Sequence, residues 1–92
     1  MRRAKIRLKI LPPFTRNFKS LEVSLTVERG SKLADLIKDL SKKGLITIDK
    51  IINNGRLKDY VVILVNGITV FDLSHVVSDG DRIVVMPLAS GG

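Results

Sequence analysis

The sequence contains no cysteine and no tryptophan, and its aromatic complement is three phenylalanines and one tyrosine. Without cysteine there can be no disulfide, no thiolate metal centre and no thiol nucleophile. With so few rings, a core has to be built from Ile, Leu and Val. No apolar run approaches the ~20 residues of a membrane-spanning helix, and the basic start is not followed by the apolar stretch of a signal peptide, so the cytoplasm is the expected compartment. A Gly-rich phosphate loop is also missing, and no nucleotide is expected to bind this chain itself. The single histidine, His75, has no cysteine to activate, and Ser74 beside it does not make a dyad; a surface or capping role is the simpler reading.

Negative charge is scarce as well. Sixteen Lys and Arg stand against nine Asp and Glu, a formal net charge of +7. Such an excess suits an acidic partner or nucleic acid, or a solubilising Lys-rich surface. At 92 residues the chain is one domain, near the lower limit of what buries a core unaided.

Residues 4–11 alternate, with Ile6, Leu8 and Ile10 facing one way and Arg3, Lys5, Arg7 and Lys9 the other. This predicts a half-buried strand with a cationic outer face, either solvated or a docking patch. No aromatic residue is interleaved with the row, which counts against base stacking and nucleic-acid binding. Pro12 and Pro13 close the strand, residues 14–20 read as a polar connection, and Leu21, Val23, Leu25 and Val27 predict a second strand able to return as a hairpin partner.

Gly30 and Ser31 signal a helix start, with Ser31 placed to cap the first turn. Leu33, Leu36, Ile37 and Leu40 then fall on one stripe, Lys42 and Lys43 suit the negative end of the helix dipole, and Gly44 suits the left-handed position beyond it. Ile48, Ile51 and Ile52 predict a short second helix or helical turn after a Thr47 cap, stopped by Asn54-Gly55. Residues 61–65 read as an apolar strand, Asn66-Gly67 as a hairpin turn and residues 68–71 as its return. The order is two strands, a helix and three shorter strands. The fold class is therefore α+β: a mixed sheet of about five strands covered on one face by one main helix, with room for the first and last strands side by side at the centre.

The last stretch is the most informative. Asp79-Gly80-Asp81 makes a turn, Ile83 to Met86 a β-branched strand ended by Pro87, and Leu88-Ala89-Ser90-Gly91-Gly92 a run of small residues. Turn chemistry accounts for Asp79 and Asp81 better than metal ligation does. The expected division is a folded domain over residues 1–87 and a flexible tail over 88–92 that presents its own C-terminus. Extended, those five residues would reach roughly 17 Å.

In this order, and with Val65-Asn66-Gly67 upstream, the chain resembles the MoaD/ThiS family of ubiquitin-like sulfur carriers. The resemblance implies a β-grasp fold and fixes the strand order. It implies adenylation of the Gly92 carboxyl by a ubiquitin-activating-like partner enzyme that uses ATP, because an ionised carboxylate is a poor electrophile. Gly91 and Gly92, lacking Cβ, would let the tail into a narrow channel. Ser90, Ala89 and Leu88 would be the rest of the tail, and Met86 and Pro87, where members often carry a second proline and an aromatic nearby, the partner-docking positions. Since the chain has no thiol, any sulfur it carried would have to sit on the C-terminal carboxyl as a thiocarboxylate.

Three functions follow. The first is a sulfur carrier resembling the small subunit of molybdopterin synthase, inserting its tail into a large catalytic subunit for molybdenum cofactor biosynthesis; the length favours this over the shorter thiazole-pathway carriers. The second is a protein modifier joined through Gly92 to target lysines. The third is a basic RNA-binding domain. In the first two the chain acts with partner enzymes and is not itself an enzyme, and it binds no metal or cofactor.

Overall fold

A computed structural model describes residues 2–88 of the chain. Its elements are β1 (Arg3–Ile10), β2 (Leu21–Glu28), α1 (Leu33–Lys42), one turn of 3-10 helix (Ile48–Lys50), β3 (Ile52–Asn53), β4 (Arg56–Leu57), β5 (Val61–Val65), β6 (Ile68–Val70) and β7 (Arg82–Pro87). Five strands form one mixed sheet in the order β2-β1-β7-β5-β6. The first and last strands pair in parallel at its centre, from Arg7↔Arg82 to Ile10↔Val85, and all other neighbours are antiparallel.

The alternation along β1 is realised residue by residue. Ala4, Ile6, Leu8 and Ile10 are buried and the intervening cations are exposed. Ile63, Ile83 and Val85 join them on the inner face, and the α1 stripe of Leu33, Leu36, Ile37 and Leu40 completes one aliphatic core against that face. This is the ubiquitin-like β-grasp arrangement.

The start of α1 corrects the expected Ser31 cap. The capping position is Lys32, and the Ser31 hydroxyl turns back to donate to Glu28 O. A helix leaves its first amides without intrahelical partners. Here Leu33 N–H donates to His75 O and Ala34 N–H to Leu73 O, both at 3.0 Å, so a distant loop supplies the cap that Ser31 was expected to provide. Asp35 accepts from Lys32 N–H at 2.9 Å. The other end follows the sequence: Gly44 adopts φ +74, its N–H donates to Ser41 O, and Leu45 N–H reaches Leu40 O, the double closure typical of a left-handed glycine stop.

Two further differences come from short-range context. Residues 14–20 are not a purely polar connection, because Phe14 and Thr15 are buried. Thr47 N–H donates to Phe14 O and Arg16 N–H to Leu45 O, which draws this segment against the one following α1. The second helix is only the single turn at Ile48–Lys50, and Asn54-Gly55 does not end it. Both residues have positive φ, 52° and 76°, and form the tight turn of a small hairpin between β3 and β4. No helix among the described residues is long and apolar enough to cross a membrane.

Candidate functional site: the central strand and its exit

β7 carries the chain toward its final residues, and its beginning is held from three sides. Asp79 Oδ1 accepts Lys5 N–H at 2.7 Å and Gly80 N–H donates to Lys5 O at 2.7 Å, fastening the turn to β1. Gly80 has φ +87, which suits a residue without Cβ. Asp81 is buried; its Oδ1 accepts from Asn66 Nδ2 at 2.9 Å and its Oδ2 from Ser78 N–H at 2.7 Å. Asn66 then brackets the next residue, its Oδ1 accepting Arg82 N–H and its own N–H donating to Arg82 O. The Asn66-Gly67 turn and the Asp79-Gly80-Asp81 turn, remote in sequence, are thus one hydrogen-bonded unit. Both aspartates accept from amide donors, Asp81 from Ser78 within its own turn and Asp79 from Lys5 across to β1.

The far end of β7 is asymmetric. On the β1 side the ladder closes with Leu11 N–H donating to Val85 O, and Pro87, having no N–H, cannot extend it. On the β5 side pairing runs on: Val61 is opposite Pro87, and Leu88 N–H donates to Tyr60 O at 2.7 Å. Tyr60 is itself backed by the buried Phe14, with ring centroids 6.3 Å apart and nearly parallel. Met86 and Pro87 are half-buried and Leu88 is exposed. Ala89, Ser90, Gly91 and Gly92 lie outside the described residues.

The outer face of the sheet, away from α1, presents two strips. Arg3, Lys5, Arg7 and Lys9 make the cationic one; Val84 and Met86 of β7, level with Leu64 and Val62 of β5, make an apolar one beside it. Arg82 sits on the same face next to Arg7. No aromatic ring belongs to the cationic strip: Phe14 is buried, Tyr60 stacks on it, Phe18 lies under Lys50 Nζ at 4.9 Å, and Phe71 follows β6, the third strand from β1 across the sheet.

Comparison with known proteins agrees with this geometry. The ThiS family profile matches residues 7–92, which takes in the Asn66 and Asp79 turns, the central strand and the terminal glycines. The chain belongs to the ThiS family. No curated protein matches the sequence significantly. Among solved structures, the chain is similar to the Haloferax volcanii protein HVO 2177, with TM-score 0.74 at 24% identity over 98% of this chain and 88% of that one. It is also similar to a Pyrococcus furiosus protein described as molybdopterin converting factor, subunit 1, with TM-score 0.66 at 26% identity over 94% and 99%. A third likeness is to small archaeal modifier protein 1 of H. volcanii, with TM-score 0.69 at 17% identity over 94% and 99%.

Within this ThiS-family chain, two contributors to the site had no sequence signal. Tyr60 acts through its carbonyl, which any residue could supply. Arg82 lies outside the alternating row of β1 and joins it only through the parallel pairing. His75 is half-buried and contributes to the cap of α1 only its backbone carbonyl, which any residue could supply.

Proposed function

We propose that this ThiS-family protein is a sulfur carrier. Its Gly92 carboxyl is adenylated by a ubiquitin-activating-like enzyme at the cost of ATP, converted to a thiocarboxylate, and presented to a large subunit as the small subunit of a molybdopterin synthase, in the cytoplasm. The observation that carries the reading is the extent of the family match, which runs through Gly91 and Gly92. Two features support it. The strand leading to those residues is the central one, bonded on both sides, and the last described residue is still tied to the sheet through Tyr60 O, so the sulfur-bearing end would start from a rigid base. The likeness to the P. furiosus protein described as molybdopterin converting factor, subunit 1, supports the finer assignment.

A modifier reading uses the same activated carboxyl with a lysine amine as acceptor, and the likeness in fold to small archaeal modifier protein 1 supports it. An RNA-binding reading lacks support, since no ring lies within the cationic strip to stack a base. In every case ATP belongs to the partner. The test is intact-protein mass spectrometry after incubation with the cognate activating enzyme, ATP and a sulfur donor: one terminal oxygen replaced by sulfur is expected, and an unchanged mass overturns both carboxyl-based readings. Isolation from the native cell then separates them, one stoichiometric large partner meaning a carrier and a ladder of lysine-linked conjugates a modifier.

A further inference from the structure

Asn66-Gly67 has a counterpart elsewhere in the chain, Asn54-Gly55. The two pairs share one backbone conformation. Asn54 and Gly55 have φ of 52° and 76°, Asn66 and Gly67 of 53° and 83°, and each pair turns an antiparallel hairpin. In an Asn-Gly pair the side-chain amide carbon lies open to attack by the following backbone nitrogen, because glycine sets no Cβ beside that nitrogen. By covalent structure alone the two turns are equally reactive.

Their surroundings differ. The Asn66 side chain is held at both of its polar atoms: Nδ2 donates to Asp81 Oδ1 and Oδ1 accepts from Arg82 N–H, both at 2.9 Å. Its own N–H donates to Arg82 O at 2.8 Å, and its hairpin joins two strands of the five-stranded sheet. Asn54 has no such ties among the described residues, and Asn53, Asn54, Gly55 and Arg56 are all exposed. Its hairpin is a separate two-stranded sheet with two residues in each strand. A ribbon of that size has marginal stability of its own in water, so its tip opens far more readily than a turn tied to the central strand.

We propose that Asn54 is a site of spontaneous deamidation, and that Asn66 is shielded from the same reaction by its bonds to Asp81 and Arg82. In the opened tip the Gly55 nitrogen attacks Asn54 Cγ. The new N–Cγ bond closes a five-membered succinimide, the Cγ–Nδ2 bond breaks, and Nδ2 leaves as ammonia with the proton that Gly55 N–H gave up. Water then opens the ring at either carbonyl carbon, its hydroxyl going to carbon and its proton to the Gly55 nitrogen. The products are aspartate or, where the main chain is rerouted through Cγ, isoaspartate. No electron is gained or lost, and water is the co-reactant. Either product places a carboxylate in the depression that Asn54 shares with Arg56 and Lys58. At Asn66 the same reaction would remove the amide donor to the buried Asp81 and set a second carboxylate against it. The bonds that seat the start of β7 thus also keep their own turn chemically intact. The inference stands independently of the carrier reading.

The test is to incubate the full chain in mildly alkaline buffer, digest it with trypsin and map the products by mass spectrometry. Cleavage after Lys50, Arg56, Lys58 and Arg82 puts the two sites on separate peptides, 51–56 and 59–82. Fragmentation distinguishes Asn54 from Asn53, and chromatography resolves isoaspartate from aspartate. In the folded protein Asn54 is expected to deamidate at least about tenfold faster than Asn66, and in guanidinium the two rates should draw together. Equal rates in the folded protein, a faster Asn66, or an inert Asn54 under conditions where the unfolded chain reacts, overturn the proposal. So does a difference that persists undiminished in guanidinium, since it then comes from neighbouring sequence and not from the fold. Asp81→Ala removes one of the ties and should raise the rate at Asn66 severalfold, with Asn54 unaltered as the internal reference; an unchanged rate at Asn66 overturns the shielding. Should Asp81→Ala not fold, the wild-type comparison in buffer and in guanidinium decides alone.

Discussion

Asp81 shows how one residue can be functional in the sense of position without touching chemistry. Its two oxygens hold Asn66 and Ser78, and Asn66 in turn brackets Arg82 at the start of the central strand. Asp81→Ala leaves two donors unmatched in a buried setting, and a loss of about 1–3 kcal/mol is expected in a urea titration. Asp72 gives a second prediction at this scale. Hydrogen bonds from the Ser74 hydroxyl, and after it the Ser74 amide, hold its carboxyl below the usual range, helped by His75 and Lys32 and opposed by desolvation. A depressed folded value means that the stabilisation is complete above the unfolded carboxylate range, near pH ~4, and is lost as pH falls through the folded value. The loop it orders carries the Leu73 and His75 carbonyls that cap α1. The protection of the Leu33 and Ala34 amides, taken relative to the exchange of an unstructured chain at the same pH, should therefore fall on acidification below about pH 4 in wild type, and Asp72→Ala should show the lower protection already at neutral pH.

The elements legible in the sequence are those long enough to display a period. β1 and β2 show four inward residues each and α1 a full stripe, and all three fold as their spacing predicts. Leu36 is buried within that stripe, and Leu36→Ala should cost about 2–5 kcal/mol; a loss within the error of a denaturant titration would mean that the helix does not face the sheet. β3 and β4 have two residues apiece, too few for any alternation to register, so their Asn54-Gly55 turn was open to reading as a helix stop. Phe14 carries no local signal of burial, since it follows two prolines and precedes a polar stretch, and its burial comes from a segment more than thirty residues on, at Ile46 and Thr47. The cap of α1 departs from the local sequence signal for a similar reason. Ser31 has the right chemistry locally, but carbonyls from the loop before β7 occupy the amides of the first turn and the Ser31 hydroxyl donates to Glu28 O instead. Of the site itself, the two turns and the central strand were visible as motifs, whereas the hydrogen bonds joining Asn66 to Asp81 and Arg82, and the meeting of Arg7 with Arg82, exist only once the parallel pairing has formed.

For the whole molecule, the net charge of +7 is unevenly spent: one sheet face concentrates cations around the central strands while the other is wholly aliphatic. Deleting Gly92 touches neither, so the variant should unfold with wild-type thermodynamics yet fail to be adenylated, since the carboxyl would retreat by about 3.3–3.6 Å. A deletion activated as well as wild type would refute the carboxyl-based readings. The parallel pairing of β1 with β7 also has a mechanical consequence. A load applied between the beginning of β1 and the exit of β7 runs along both strands in opposite senses, so the bonds from Arg7–Asp81 to Leu11–Val85 are stressed together in shear instead of opening one after another. If the tail is gripped and drawn into another protein, the domain behind it behaves as an anchor: force-extension traces taken through the two ends should show a higher rupture force than traces taken through β5 and β6, whose antiparallel hairpin can unzip from its open end.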